Sequence, residues 1–349
     1  MSDEELLAYA RKAIEHAYDQ GWTDGLPIVP VTAPMVQEFL ATTPRAAGEV
    51  VASISHLDRE CTVEQAAVNA AMAGCRPEYF PVVLAAWDAL ARQPVFAPAW
   101  QSTSGPAPLI VVNGPVRQEL GINSKGGVLG PGFRANATIG RAIGLAVRNV
   151  FGVRPHELEQ ATQGIPGRWS LVIGENEEES PWEPLSVELG LPPGTDAVSA
   201  LLLRTCEFVD NRHTKDAEEV LWDIADTISR TGAAIGRHSS AGLVLSVEHA
   251  QQFAEAGFGK TDVQQWLYDH CVRSHADLER AGKGLDGQEG PGIDSYGLHM
   301  VSSPEQLPIV VAGARNAAMS MVVRPFGFGG WSRTTHPIHR EVGVGGDIA

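Results

Sequence analysis

Four short apolar runs recur along the chain, and each leads through small or polar residues into a segment with helical periodicity. They occupy residues 26–29, 108–112, 242–245 and 307–311. Short apolar strands that alternate with amphipathic helices are typical of an α/β fold with parallel strands in β-α units. Two units fall in each half of the chain, a pattern compatible with a duplicated, two-lobed arrangement. We therefore expect an N-terminal α/β lobe over residues 1–200 and a C-terminal α/β lobe over residues 201–349.

Helical signals dominate the region before the second apolar run. Thr62 and Gln65 form a capping box in front of an alanine-rich segment that stops at Gly74. Pro77 starts the next helix almost at once, because proline is favoured in a first helical turn. The N-terminal lobe should therefore contain a tight helical hairpin, with Cys75 at its corner.

The longest motif lies between residues 113 and 152. An apolar strand runs into Asn113, and a glycine-rich loop then carries Lys125 and Arg134 to a helix that Asn136 is predicted to cap. Glycines in such a loop expose backbone N–H groups, and a helix N-terminus carries partial positive charge, so the segment is suited to a carboxylate or phosphate. The predicted anion site is lined by Asn113, Ser124, Lys125, Arg134 and Asn136.

The same motif has two other interpretations. Glycines also build exposed surface loops, in which a lone Lys or Arg is usually solvated. Residues 130–135 match the G-x-G-x-x-A pattern of dinucleotide-binding proteins. However, the preceding strand ends near Val112, and no second strand presents Glu157 to a ribose. A solvated loop therefore stays open as an alternative, and dinucleotide binding is rejected.

Four carboxylates are crowded between residues 175 and 179, directly after a strand predicted over residues 169–173. Crowded carboxylates raise one another's pKa, which is what a general acid or a cation site requires. A purely solvated acidic turn, the alternative, has little use for the Trp that follows. We therefore expect Glu175 or Glu177 to transfer a proton, and Asn176 and Trp182 to line the substrate pocket.

Cys75 is predicted to be the most reactive of the four cysteines. It precedes a helix N-terminus and adjoins Arg76, and both surroundings stabilise a thiolate, although an inert buried thiol is the commoner state. The absence of a C-x-x-C pair argues against a zinc ribbon or a disulfide scaffold. His336 and His339 flank Pro337, which prevents a regular helical presentation of the two rings, so no metal site is predicted there.

Charge excludes several classes of function. The 349 residues include 26 Lys and Arg against 42 Asp and Glu, a net charge of −16. Nucleic acids and anionic membranes attract positive surfaces, so neither is an expected partner. The first residues show no basic, apolar leader pattern and no long uncharged apolar run occurs, so we expect a cytoplasmic protein.

Four motifs together resemble a bacterial family. They are GWTDGLPIVPVT at 21–32, VNAAMAGCRPEYFPVVLAA at 68–86, NGP…LGPGFRANATIGRA within 113–142 and GENEEESPWEPL at 174–185. Members of that family are the larger partners of a small (seleno)protein that carries a Sec/Cys-Gly-Ser-Cys (UGSC) motif. The resemblance implies thiol or selenol chemistry at an interface between the two proteins. Since this chain contains no such motif, it implies that the small partner supplies the reactive group.

The leading hypothesis is a subunit of an oligomeric enzyme that acts on a small, carboxylate-bearing substrate. Lys125 and Arg134 would bind the anion, Glu175 or Glu177 would transfer a proton, and Cys75 or a partner's thiol would act as nucleophile or redox group. A cofactor-independent lyase or hydratase and a non-catalytic scaffold are the alternatives. The sequence identifies neither the substrate nor a cofactor.

Overall fold

A computed structural model describes residues 2–165, 171–235, 239–285, 287–289, 292–327 and 335–339. The helices are α1 (Asp3–Asp19), α2 (Ala33–Leu40), α3 (Val63–Ala73), α4 (Phe80–Ala91), α5 (Phe96–Ala99), α6 (Val116–Glu119), α7 (Arg134–Asn149), α8 (Leu185–Glu188), α9 (Ala217–Ser229), α10 (Val247–Glu255), α11 (Lys260–His270) and α12 (His275–Arg280). The strands are β1 (Val50–Ile54), β2 (Arg59–Thr62), β3 (Ala107–Asn113), β4 (Val172–Gly174), β5 (Ala197–Asp210), β6 (Gly242–Leu245), β7 (Val272–Ser274), β8 (Gly297–His299), β9 (Ile309–Val311), β10 (Met319–Pro325) and β11 (Thr335–Pro337).

One mixed sheet organises the fold. Its strand order is β4-β3-β5-β10-β6-β9, and β11 also pairs with β5. β3 is parallel to β4 and β6 is parallel to β9, whereas the two central strands, β5 and β10, are antiparallel. The predicted α/β class with parallel strands is therefore confirmed, with antiparallel strands at the centre of the sheet.

The two halves of the sheet repeat one topology. In each half, a first strand is followed in the chain by an edge strand that runs parallel to it. A third strand then pairs antiparallel with the first strand, on the side away from the edge. These strands are β3, β4 and β5 in one half, and β6, β9 and β10 in the other. The Glu175 N–H donates to the Val112 carbonyl at 3.1 Å, and the Ala312 N–H donates to the Leu245 carbonyl at 3.0 Å in the equivalent place. The predicted boundary between residues 200 and 201 falls inside β5, and the division into two domains stays a prediction.

The sheet is curled, so that its two edge strands approach each other. The Asn176 N–H donates to the Val311 carbonyl of β9 at 2.7 Å, and the Gly313 N–H donates to the Ser124 carbonyl at 2.9 Å. We call this junction of residues 122–126, 174–179 and 311–315 the seam. It brings the carboxyl ends of β3, β4 and β9 to one place.

Apolar layers on both faces of the sheet hold this curvature. The inner face is filled from both halves, by residues such as Leu109, Ile173, Leu201, Val244 and Val310. On the outer face, α3, α4 and α7 cover β3 and the start of β5. Helices α9, α10 and α11 cover β6, β9 and the start of β10 in the same way. Two helical layers thus enclose one continuous sheet.

Most of the predicted elements are present. The capping box of Thr62 and Gln65 starts α3, and α3 and α4 form the predicted hairpin. The apolar run at 26–29 is not a strand, because Pro27 has no N–H to donate to a ladder. A strand predicted over residues 169–173 lies partly outside the described residues, and its described part is β4.

Gly114 follows β3 at a point of close backbone approach. Its φ is +89°, and a Cβ there would lie 2.6 Å from the Thr195 carbonyl oxygen, whereas Gly121 has φ +65° and open space around it. Both Ala variants incur the cost of a positive φ, but only Gly114→Ala clashes with backbone. We therefore expect it to lower the free energy of unfolding by about 1–3 kcal/mol more than Gly121→Ala. Urea unfolding of both variants measures the difference, and equal losses would contradict the close approach.

Candidate functional site

Asn113, the last residue of β3, connects two glutamates of the loop after β4. Its Nδ2 donates to Glu175 Oε2 at 2.7 Å and to Glu177 Oε1 at 2.9 Å. The Gly114 N–H also donates to Glu177 Oε1, at 2.8 Å. These residues meet because parallel neighbouring strands end at the same edge of a sheet. The structure thus brings together three residues from two motifs that are separate in the sequence.

Glu175 is fully buried beside this amide. Its Oε2 also accepts from the Leu185 N–H at 2.8 Å. Burial raises the pKa of the carboxyl, against the opposing effects of the Lys260 charge and of the hydrogen bonds from Leu185 and Asn113. The charge of Glu177 makes the smallest contribution to this pKa. Burial, and not the predicted crowding of carboxylates, is therefore the main cause of the raised pKa.

Two acceptors in this network lack a donor. Among the described residues, Glu175 Oε1 and Asn113 Oδ1 are buried and have no hydrogen-bond partner. An ionised carboxylate only accepts hydrogen bonds, whereas a protonated one also donates. A proton on Glu175 would therefore supply the donor that the buried network lacks, in agreement with the raised pKa of the group.

Arg117 fixes the rest of the acidic loop. This nearly buried side chain donates from Nε to the Gly114 carbonyl at 3.0 Å. Its Nη2 lies 3.0 Å from both Glu177 Oε2 and Glu178 Oε1, and its Nη1 donates to the Glu175 carbonyl. Although partial burial opposes it, the hydrogen bond from Arg117 lowers the pKa of Glu178. Arg117 therefore holds both Glu177 and Glu178, and the pKa of Glu178 is shifted in the direction opposite to that of Glu175.

Lys125 and Arg315 reach Glu179 from opposite sides of the seam. The Lys125 Nζ lies 3.8 Å from Glu179 Oε1, and the Arg315 Nε lies 3.5 Å from Glu179 Oε2. These distances exceed those of ordinary hydrogen bonds, and the two basic side chains are 60% and 53% exposed. One carboxylate thus lies between two exposed and loosely held cations at the surface of the seam.

Asn136 has a different role from the one predicted. α7 begins at Arg134 without a side-chain cap, and the buried Asn136 amide accepts from the Asn123 N–H at 2.8 Å and donates to the Val172 carbonyl at 2.8 Å. The prediction of an N-cap was wrong because the amide turns inward, toward β4. Asn136 instead holds the loop that carries Ser124 against the seam.

Two other predicted binding residues contact parts of the protein outside the seam. Arg134 is exposed, and its Nε donates to the Gly74 carbonyl after α3 at 2.9 Å. The Trp182 Nε1 donates to the Phe258 carbonyl at 3.3 Å, and its ring packs against the core of the second half. The two side chains therefore join the loops to neighbouring helices.

Cys75 is buried at the corner of the helical hairpin. Burial raises the pKa of its thiol to about 12, outweighing the hydrogen bond with Thr138 and the charge of Arg134, both of which lower it. The predicted role as a reactive thiolate is therefore not supported, because the thiol is withdrawn from water. Burial also raises the pKa of Cys61 and Cys271 to about 12 and raises that of Cys206.

Lys260 is a site residue that the sequence did not reveal. It is the first residue of α11, and its buried Nζ donates to the Glu183 carbonyl at 2.8 Å and lies 3.2 Å from Glu188 Oε2. Its charge acts on Glu175 from the other half of the sheet. No local motif marks it, because its partners are remote in sequence.

Within the described ranges, no group of three or more His, Cys, Asp or Glu side chains is arranged to hold a metal ion. Glu341, which follows the His336–His339 motif, lies outside those ranges. None of the helices described here has both the length and the apolar character needed to cross a bilayer. No protein-family model, curated protein or solved structure matches the chain.

The protonation of Glu175 can be measured through protein stability. A carboxyl whose pKa is raised by folding stabilises the protein fully below its unfolded pKa, and this contribution is lost as the pH rises through the folded pKa. Glu175→Gln keeps an acceptor for Asn113 and adds a donor. We therefore expect the stability of the wild type, relative to this variant, to fall as the pH rises above the pKa of an unfolded glutamate toward the raised pKa of the folded protein. Urea unfolding across this range measures the difference.

Glu178→Gln is the control with the opposite sign. Because the pKa of Glu178 is lowered in the folded protein, its contribution is present above the unfolded pKa and is lost as the pH falls. In the Glu178→Gln variant, the loss of stability that Glu175 causes as the pH rises should therefore remain. Parallel pH profiles for the wild type and Glu175→Gln would show that Glu175 is not a buried acid.

Proposed function

We propose that this chain is a subunit of an enzyme that binds a small, carboxylate-bearing substrate at the seam. The observation that carries the proposal is a buried carboxyl group with an unpaired oxygen, at the carboxyl ends of strands that meet beside exposed cations. Ligand sites in α/β sheets form at such ends. Buried acids with raised pKa values are also enriched among catalytic groups.

Anion binding is assigned to Lys125 and Arg315. Both side chains share one carboxylate at long distance, so a second anion can pair with them without displacing a tight ion pair. The loop that carries Lys125 continues to the uncapped start of α7, whose N–H groups add partial positive charge. Arg315 takes the place that the sequence gave to Arg134.

Proton transfer is assigned to Glu175. Its carboxyl is linked through the Asn113 amide to Glu177, which is partly exposed. In this proposal Glu175 exchanges its proton with the substrate through its own unpaired Oε1, and Glu177 faces the substrate. The shared amide donates to both carboxyl groups, so it cannot carry a proton between them. The arrangement suits general acid–base chemistry, for which a carboxyl with a raised pKa is required near neutral pH.

The reactive thiol or selenol is assigned to a small partner protein, as the resemblance implies. All four thiols of this chain have raised pKa values, and three are fully withdrawn into the core. The same observation favours a second candidate, a cofactor-independent lyase or hydratase that needs no thiol. A cytoplasmic location and an oligomeric state belong to the proposal in both cases.

Anion binding provides the first test of the proposal. Isothermal titration of the full chain with phosphate, malonate and succinate at low ionic strength should reveal binding of at least one of them. Lys125→Gln and Arg315→Gln should each raise the dissociation constant about tenfold, because a charge-assisted hydrogen bond is lost. Arg212→Gln is the matched control, since Arg212 is 52% exposed and pairs with a carboxylate elsewhere. Absence of binding, or equal effects of all three substitutions, would contradict the site.

Thiol reactivity tests the assignment of the chemistry to a partner. With Ellman's reagent under native conditions, we expect Cys61, Cys75 and Cys271 to react only as fast as the protein unfolds, since burial suppresses their thiolates. In denaturant all four thiols should react at once. Cys75→Ser should leave the rate of the fastest thiol under native conditions unchanged. A fast native thiol that this substitution abolishes would restore Cys75 as the nucleophile.

A further inference from the structure

Basic side chains gather on the outer face of the sheet, where its two central strands pair. They are Arg204 of β5, Arg230 after α9, Lys283 after α12 and Arg324 of β10, and they surround the carboxylate of Glu207. We call these five residues the basic cluster. Its four positive charges face one negative charge, in a chain whose net charge is −16. A local surplus of this kind needs an explanation.

A β-bulge places Arg204 in the basic cluster. Leu203 pairs with Pro325 of β10 and Thr205 pairs with Arg324, so Arg204 is an extra residue without a partner across the ladder. The bulge reverses the alternation of β5, since Leu202 and Val209 pack in the outer apolar layers although they are an odd number of positions apart. Bulges are known to redirect a side chain in this way.

Two of the cations have a structural role at the end of α9. Arg324 is buried, and it donates from Nη1 to the Ile228 carbonyl at 2.9 Å and from Nη2 to the Thr227 carbonyl at 2.6 Å. The Lys283 Nζ donates to the Thr231 carbonyl at 2.8 Å. The last carbonyls of a helix need such donors, and they carry about half a unit of negative charge. The helix end therefore accounts for these two side chains, but it offsets only part of the surplus.

Arg204 is the cation that this arrangement leaves without a partner. Its side chain is half-buried, and its Nε is shielded from water and has no hydrogen-bond partner among the described residues. Burial lowers the pKa of Arg204, and the charge of Arg324 lowers it further, against the charge of Glu207. Burial, followed by the charges of Arg204 and Arg230, also lowers the pKa of Lys283. The cations of the cluster thus repel one another.

We propose that the basic cluster binds a phosphate group, as free phosphate or as a phosphate monoester, with Arg204 as its main hydrogen-bond donor. A guanidinium is a planar fork that donates two parallel hydrogen bonds to one phosphate. A phosphate group carries about −1.5 to −2 charges at neutral pH, so it offsets the surplus better than a carboxylate does. Arg230, which is 52% exposed, binds the same group from the solvent side. Arg324 and Lys283 contribute charge.

The basic cluster and the seam are separate sites. Leu203, which precedes Arg204, pairs with Ala107 at the start of β3, whereas the seam lies beyond Asn113 at the end of that strand. At about 3.3 Å per residue, the length of β3 corresponds to a separation of about 20 Å. A ligand of the basic cluster is therefore additional to the substrate proposed for the seam.

Isothermal titration tests the site in a protein whose seam lacks its cations. The double variant Lys125→Gln, Arg315→Gln is titrated with inorganic phosphate, phenyl phosphate and acetate at low ionic strength. At least one phosphate probe should bind about tenfold more tightly than acetate, because it carries more charge. Tighter binding of phenyl phosphate would identify the ligand as an ester, and tighter binding of inorganic phosphate would identify it as the free ion.

Substitutions in the same double variant locate the site. Arg204→Met and Arg230→Met should each raise the dissociation constant for phosphate about tenfold, because a charge-assisted hydrogen bond is lost. Arg212→Met is the matched control. Arg212 follows the same strand and is also 52% exposed, but it pairs with Asp210. This control should leave the dissociation constant unchanged.

Protein stability distinguishes a ligand-binding arginine from a structural one. Without phosphate, Arg204→Met should unfold at the same urea concentration as its parent or at a higher one, because Met keeps the apolar stem and removes the repulsion. Phosphate should raise the urea midpoint of the parent and leave that of Arg204→Met unchanged. A lower midpoint for Arg204→Met, combined with unchanged phosphate binding, would show that Arg204 only supports the fold.

Three results of the titrations would overturn the proposal. They are the absence of phosphate binding, acetate binding as tight as that of phosphate, and a dissociation constant that neither Arg204→Met nor Arg230→Met changes. None of them bears on the seam, because the titrated protein lacks the cations of the seam.

Discussion

Closure of the curled sheet is the constraint on which the rest of the structure depends. Edge strands leave N–H and carbonyl groups unpaired, and here the bonds of Asn176 to Val311 and of Gly313 to Ser124 satisfy part of both edges. The approach requires small residues, since a Cβ on Gly126 would lie 3.3 Å from that of Ala314. The glycine-rich loop therefore has a packing role as well as the anion-binding role that its sequence suggests.

The burial of Glu175 at the seam is unfavourable, and both halves of the sheet contribute the residues that compensate for it. Glu175 is removed from water, which costs free energy if the group is charged. Asn113 contributes a hydrogen bond from one half, and Lys260 contributes a compensating charge from the other. Arg117 holds the outer carboxylates, so that they add little repulsion at the buried one. Burial favours the neutral form of Glu175, and the neighbours from both halves partly oppose this effect and satisfy one of its oxygens.

Local patterns predicted this fold where the determinants are local, and failed where they are tertiary. A capping box such as that of Thr62 acts within one turn, and it was found correctly. Asn136 is a residue type that commonly caps helices, but its amide instead forms hydrogen bonds with the backbone of Asn123 and of Val172 in β4. Cys75 has the neighbours of a reactive thiol, yet burial cancels their effect. The meeting of Asn113 with Glu175 was not predicted, although the parallel pairing of β3 with β4 explains it, and nothing in the sequence linked Lys260 to them.

The four motifs that suggested a family are distant in sequence, but they converge on α7. Polar side chains of its first turns reach the other three motifs: Arg141 pairs with Asp24, Arg134 donates to Gly74, and Asn136 binds the Asn123 backbone that accepts from the Gly174 N–H. Residues that only shape a local turn would not need contacts with the other motifs, which are remote in sequence. Because these residues share one helix, the motifs act as a unit that positions the loop of Lys125 at the seam. The four segments therefore contact one another through α7, beside the junction at which the chemistry of the chain is proposed to lie.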